Sequence, residues 1–237
     1  MKNDPAFKLL AAVIMTGVFL ALFSSAHGAE ASNQKTKKTR TRTGTYQSSN
    51  GSSGTVNATT TRGGGAVSRS STLTNQDGQT ATHTSDRTWN KAAGTGTVSS
   101  SSTGFNGTIT SRQGTLTKNA DGSVSGQGTI TGPGGKTSTY ADTTTKTATG
   151  HSTMGTITGP NGQTSTVNTA VSKSAPGDIS RTTAITGPNG KTAEKDSTTK
   201  INPDGTGTRV VQVTKPDGTT ETRTETFTVT PTPAPQP

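Results

Sequence analysis

Residues 155–166 read GTITGPNGQTST, and the string nearly recurs as GTITGPGGKTST at 128–139 and as TAITGPNGKTAE at 183–194. In GPNG, Pro160 presets φ for the first central position of a turn, Asn161 suits the second, and Gly162 can take the left-handed conformation. This is the chemistry of a type I turn closed by a glycine bulge, a common three-residue hairpin loop. If Gly159 pairs with Gln163, then Thr158 faces Thr164, Ile157 faces Ser165 and Thr156 faces Thr166. The same register sets Thr131 opposite Thr137 and Thr129 opposite Thr139. Threonine is β-branched and favours strands, and cross-strand threonine pairs add modest stability. The repeated string therefore encodes a hairpin, with turn residues Pro133 and Gly135, Pro160 and Gly162, Pro188 and Gly190, and Pro216 and Gly218.

Along the rest of the chain, turn glycines recur at Gly51, Gly65, Gly78, Gly94, Gly107, Gly122, Gly135, Gly150, Gly162, Gly177, Gly190, Gly205 and Gly218. Long and short steps alternate, so the repeat is about 28 residues and contains two turns. The segments between turns have strand length, and none shows a sustained helical period. One apolar position recurs five residues before every second turn glycine: Leu73, Ile130, Ile157, Ile185 and Val213, with Ser102 as the exception. These residues form a column on one face, with threonine columns on the other.

The expected fold is all-β. It is an elongated repeat protein built as a thin antiparallel β-meander, or alternatively as a β-solenoid with two strands per coil of ~28 residues. A transmembrane β-barrel is disfavoured, because its lipid face needs apolar residues alternating along every strand.

Composition limits the core. From Ser32 onward, Val, Ile, Leu and Phe together supply only 20 of 206 residues, too few for a conventional globular interior. At the N-terminus, Lys2 and Lys8 form a short basic region before the apolar run Leu9–Phe23, and small residues follow, the order of a Sec-type signal peptide cleaved after Gly28 or Ala31. The expected organisation is a signal peptide at 1–31, a basic Gly/Ser/Thr-rich arm with degenerate repeats at 32–76, hairpin repeats at 77–230, and a Pro-rich tail at 231–237. Arm and tail are expected to be disordered. No transmembrane span is expected after signal removal, and with no cysteine there is no disulfide.

Charge is uneven. Ala31–Gln76 holds seven bases and no acid, whereas Asp77 to the end holds 14 bases and 11 acids. The cluster Lys35, Lys37, Lys38, Arg40 and Arg42 is the candidate polyanion-binding site. Aromatic residues that would stack on bases are missing there apart from Tyr46, so recognition of a specific nucleic-acid sequence is not expected.

Other motifs carry little. His83 and His151 lie at no metal-ligand spacing and read as solvated side chains. Asp77, Asp121, Asp204 and Asp217 each precede a turn glycine, where Asp-Gly turn chemistry accounts for them better than calcium does. Trp89 reads as a packing residue, and glycines inside strand patterns, as in GTGTV (94–98), do not form a phosphate cradle. There is no nucleophile elbow, phosphate loop or dinucleotide fingerprint. The expectation is a non-enzyme without cofactor or metal.

Functionally, this sequence reads as an exported structural or adhesive repeat protein of the cell surface or extracellular matrix, self-assembling through strand edges. The alternative is a secreted protein that binds extracellular DNA, lipopolysaccharide or acidic polysaccharide through the basic arm, with the periplasm as another exported location. Two further readings are weaker: an ice- or sugar-binding face of threonine ladders, and an O-glycosylated stalk.

Overall fold

A computed structural model describes residues 37–175 and 177–232, with side chains described as far as Thr230. The chain runs through β1 (Lys38–Ser48), β2 (Ser53–Gly63), β3 (Ala66–Asn75), β4 (Thr80–Asn90) and β5 (Thr95–Thr103). It continues through β6 (Ile109–Lys118), β7 (Val124–Thr131), β8 (Thr137–Lys146), β9 (Gly150–Thr158) and β10 (Thr164–Ala175). The last four strands are β11 (Asp178–Thr186), β12 (Thr192–Ile201), β13 (Thr206–Thr214) and β14 (Thr220–Thr232).

The hairpin register read from GTITGPNGQTST is the one observed: Thr158 pairs with Thr164, Ile157 with Ser165 and Thr156 with Thr166. The Gly159 N–H donates to the Gln163 carbonyl at 2.8 Å and the Gly162 N–H to the Gly159 carbonyl at 2.9 Å. Gly162 sits at φ 77°, a left-handed value that a side chain would strain. Every strand pairs antiparallel with its sequence neighbours, so the meander is real.

It is not, however, open. β1 pairs with β14 from Thr39↔Thr232 to Ser48↔Arg223, and the fourteen strands form a closed barrel. This corrects both expected architectures, the thin open meander and the solenoid. The physical reason is that an open sheet would leave two unpaired edges and a wet apolar column, and closure removes both liabilities at once. It also corrects the expectation of a disordered basic arm, because residues 38–75 supply β1, β2 and β3. The expected signal peptide and Lys35 lie outside the described residues, as do residues 233–237 of the tail.

Closure makes the two faces of each strand inequivalent. The outer face is hydroxylated almost throughout. On β14 it presents Thr220, Thr222, Thr224, Thr226, Thr228 and Thr230. Neighbouring hydroxyls meet across strands, at 3.1 Å for Thr45–Thr226, 2.7 Å for Thr88–Thr97 and 2.8 Å for Thr186–Thr192. The apolar column points inward, with Ile130 and Ile185 buried. Val98 and Leu116 share one cluster with Val167, Ile185 and Ala193, so walls from well-separated parts of the barrel touch. About eight strands already enclose a filled interior. A fourteen-strand barrel therefore has to bring opposite walls together to bury so few apolar residues.

Mid-strand glycines make room for the inward aromatics. Phe227 pairs with Gly44 on one side and Gly207 on the other. Tyr46 faces Gly54, Trp89 faces Gly96, and Tyr140 faces Gly128 and reaches over Gly114. A Cβ on Gly207 would come 2.6 Å from the Phe227 ring, and one on Gly96 would come 2.8 Å from the Trp89 ring. These glycines are seats for rings, the close-approach role that mid-strand glycine serves. Gly207→Ala should lower stability by about 1–3 kcal/mol through overpacking, measured by urea denaturation.

Candidate functional site

The strand register brings seven cations to inward positions on neighbouring or facing walls: Arg42 on β1, Arg69 on β3, Arg87 on β4, Arg181 on β11, Lys195 on β12, Arg209 on β13 and Arg223 on β14. Glu225, only 1% exposed, sits among them. Its carboxylate is shared by Arg223 at 3.0 Å, Arg42 at 3.3 Å and Arg209 at 3.9 Å. Aromatic faces take some of the remaining charge: Arg42 lies 4.9 Å from the Phe227 centroid, Arg87 5.7 Å from Trp89 and Arg223 5.9 Å from Tyr46. The side chains of Arg42 and Arg223 remain 21% and 19% uncovered although the wall encloses them. About a fifth of each of these two side chains therefore stays accessible to water.

Electrostatics show how tightly the cations are grouped. Burial and then its neighbours Arg209, Arg223 and Arg181 pull the Lys195 ammonium down to about 7, against a smaller opposite pull from Glu225. Burial and then Arg69 lower Arg181 to about 10. Burial lowers Arg209 to about 9 despite Glu225, with Arg42, Arg223 and Arg181 adding to the fall. Guanidinium groups at these values keep their charge at neutral pH. Lys195 is therefore the member of the cluster that titrates near neutrality.

The rest of the interior is different. Arg112 pairs with Asp142 at 2.9 Å and lies 3.8 Å from the Tyr140 ring centroid. Burial raises the Asp142 carboxyl, and Arg112 only partly offsets it. Beside them is a cavity of about 20 Å³ lined by Ile130, Thr153, Ile157 and Val167, room for a single water. This half is filled and locally neutral.

His83 and His151 are not solvated. Both face inward and are buried, at 8% and 4% exposure, because their strand parity matches that of the apolar column. His83 Nδ1 lies 2.7 Å from Ser102 Oγ, which accounts for the polar exception in that column. Burial, then Arg69 and Lys195, lower His83 to about 4. Trp89 packs against the apolar cluster, as its packing role anticipated. No group of three or more metal-ligating side chains occurs among the described residues. Three of the turn aspartates instead accept bonds from the Ser or Thr two positions on: Asp121 from the Ser123 N–H, Asp204 from the Thr206 N–H and Asp217 from the Thr219 N–H, each at 2.9 Å.

The two rims differ as sharply as the two faces. Odd-numbered strands start and even-numbered strands finish at one rim, which carries exposed Lys37, Lys38, Arg40, Arg62, Lys91, Lys118, Lys146, Lys173 and Lys200. Among the described residues, three acids, Asp121, Asp178 and Asp204, stand against these nine bases. The opposite rim bears the Pro/Asn/Gly turns, with Lys136, Lys191 and Lys215 balanced by Asp77, Asp217 and Glu221. The alternating steps of the turn glycines are thus alternating visits to a basic rim and a neutral one.

Of the expected polyanion-binding residues, Lys37, Lys38 and Arg40 lie at the basic rim, whereas Arg42 turns inward to Glu225. The inward cluster escapes a reading by charge runs, although a signal for part of it exists. Arg69, Arg181 and Arg209 each stand four residues before a column residue (Leu73, Ile185 and Val213), on the same face of the strand.

Lys195 is depressed from 10.5 to about 7, so above pH ~7 the unfolded chain holds this proton more tightly than the barrel does. Its charge therefore destabilises the fold fully below pH ~7, and stability rises as pH climbs from about 7 towards 10. The facing charges are Arg181, Arg209, Arg223, Glu225 and His83, and His83 acts with the same sign between about 4 and 6.5. Urea denaturation across this range should show the upper rise, and Lys195→Met should flatten it. Glu225→Gln leaves buried cations uncompensated and should cost about 3–5 kcal/mol, read in the same assay.

Compared with known protein families, with curated proteins and with solved structures, the chain matches none of them.

Proposed function

We propose that this chain is an exported, non-enzymatic binding module whose basic rim grips a polyanionic polymer at the cell surface or in the extracellular matrix. The observation that carries this reading is the one-sided rim, nine exposed bases against three acids, beside a neutral opposite rim. One of those bases sits at or beside each of the six hairpins at this rim, so they form a ring rather than a linear tag. A ring of positive charge at one mouth steers and holds phosphate, sulfate or carboxylate chains without reading their sequence. Extracellular DNA, lipopolysaccharide and acidic polysaccharide all have this chemistry. Aromatic platforms that would favour bases are turned inward at Tyr46, Trp89, Tyr140 and Phe227.

A structural or adhesive role is compatible with the same surface, but assembly through strand edges has lost its physical basis. In the closed barrel each strand is paired on both sides. Copies would have to meet through rims or the threonine surface. That outer surface also supports life in water: among the described residues its exposed large apolar side chains are Ile109, Met154 and Val210, scattered among threonines, with Phe105 on a turn, whereas a lipid-facing wall requires a continuous apolar band.

Deleting residues 35–42, the simplest test from the sequence, would remove half of β1 and open the barrel. Charge-neutralising variants are cleaner. Elution of residues 32–237 from a heparin column should require raised salt. Lys118→Gln, Lys146→Gln, Lys173→Gln and Lys200→Gln together should move elution to much lower salt and reduce the slope of log K against log salt by roughly 0.7–0.9 for each anionic group no longer neutralised. Lys136→Gln with Lys191→Gln, on the opposite rim, should leave elution unchanged. Equal losses from both rims would refute the one-sided site.

A further inference from the structure

We propose that the basic rim docks face-on against an anionic lipid surface, its level ring of bases lying on the phosphate plane of a membrane leaflet. The proposal rests on the reading of this rim as the anion-binding face, and it names a planar partner for that face.

The first argument is the placing of the bases. Arg62, Lys91, Lys118, Lys146, Lys173 and Lys200 follow one another at intervals of 29, 27, 28, 27 and 27 residues. The repeat thus sets one base at or beside the end of each even-numbered strand from β2 to β12, and all six are exposed. Register keeps them level. Lys118 is joined through Val124 to Thr144 on β8, so Lys146 lies two residues further along its strand. Lys173 stands in the same relation to Lys146, through His151 and Val171. Two residues along and two strands across are about 6.7 Å and 9.6 Å, a slope of about 35°, which is the strand tilt of a closed barrel. The advance from base to base therefore offsets the tilt, and these ammonium groups circle the mouth at one height. Arg62, Lys91 and Lys200 keep that level to within two residues. Lys38 and Arg40 on β1 continue the ring beside Arg62.

Shape is the second. An exposed charge acts over about a Debye length, some 8 Å at physiological salt. A level ring brings all of its bases within that range of a plane at once, whereas a linear polymer laid across the mouth meets only the bases near its path. The third argument is the chemistry of the rim itself. Its six hairpin turns contain no Val, Ile, Leu, Met, Phe, Tyr or Trp, so they offer nothing to insert among acyl chains and attachment is electrostatic. The exposed aromatic side chain, Phe105, belongs to the opposite rim. Lysine predominates, a compact point charge that suits headgroup phosphates in any orientation. Of the rim acids, Asp121 and Asp204 turn their carboxylates into their own turns, accepting from the Ser123 and Thr206 hydroxyls at 2.6 and 2.7 Å.

The test is cosedimentation of residues 32–237 with vesicles of phosphatidylcholine alone and of equal parts phosphatidylcholine and phosphatidylglycerol. Binding should require phosphatidylglycerol and should fall as salt is raised. Each base near an anionic surface changes partition about fivefold, so Arg62→Gln with Lys91→Gln should weaken binding by about 25-fold. Lys146→Gln with Lys173→Gln, further round the ring, should weaken it by the same factor, because a plane meets both sides at once. Lys136→Gln with Lys191→Gln, on the opposite rim, should leave it unchanged. Equal sedimentation with both kinds of vesicle would overturn face-on docking, as would a loss confined to one of the two rim pairs. Heparin retention of the same proteins separates this proposal from the reading beneath it. Retention that depends on the rim bases, without vesicle binding, would leave polymer as the partner and refute the membrane alone. Retention untouched by either rim pair, again without vesicle binding, would remove the anion-binding rim as well.

Discussion

Pairing of β1 with β14 is the constraint on which the remaining structure depends. Ten cross-strand partners, from Thr39↔Thr232 to Ser48↔Arg223, join the two ends of the described chain and turn a sheet with two faces into a wall with an inside and an outside. Once the wall closes, strand parity becomes the main sorting rule. Every second residue is committed to the lumen, whether it is Ile185 or Arg181, and its neighbours are committed to water. The scarcity of apolar residues then ceases to be a paradox. Threonine covers the outside, where a β-branched hydroxyl both favours the strand and hydrogen-bonds its neighbours. The few aliphatic and aromatic side chains are concentrated within.

That interior is divided by charge. On one side, Val98, Leu116, Val167, Ile185 and Ala193 bring walls together, and Arg112 is neutralised by Asp142. On the other, cations from β1, β3, β4 and β11–β14 share Glu225 and a set of aromatic faces. The mid-strand glycines link the two halves structurally. They let Phe227, Tyr46, Trp89 and Tyr140 lie flat against the wall, and each of those rings carries an arginine. Glycine, aromatic ring and arginine thus form a recurring unit. Removing a glycine would displace a ring, and displacing a ring would deprive a buried charge of its partner.

The same closure reshapes the functional question. An open repeat sheet invites edge-to-edge growth; a closed one does not, and attention moves to rims and lumen. The basic rim and the cationic lumen are contiguous features of one electrostatic design, positive at one mouth and positive within, neutral at the other mouth.

Local geometry could be read from the amino acids alone, because it depends on residues within a few positions of each other. Gly159 with Gln163, the left-handed Gly162 and the threonine pairs flanking them were all legible in GTITGPNGQTST, as was the two-turn rhythm that proves to be two rims. The one-sided column of Leu73, Ile130, Ile157, Ile185 and Val213 was legible as well. Closure belongs to the folded chain, and with it the fate of every charged or polar residue sharing that column's parity. Nothing near Thr39 signals a partner at Thr232, since pairing across that distance is set by the accumulated twist of the whole sheet and by the cost of two free edges. Taken with its immediate neighbours only, Arg42 belongs to a solvated basic arm and His83 to a surface strand. In the closed wall the first neutralises a buried glutamate and the second hydrogen-bonds Ser102, because a residue's parity acquires a meaning only when the sheet has an inside.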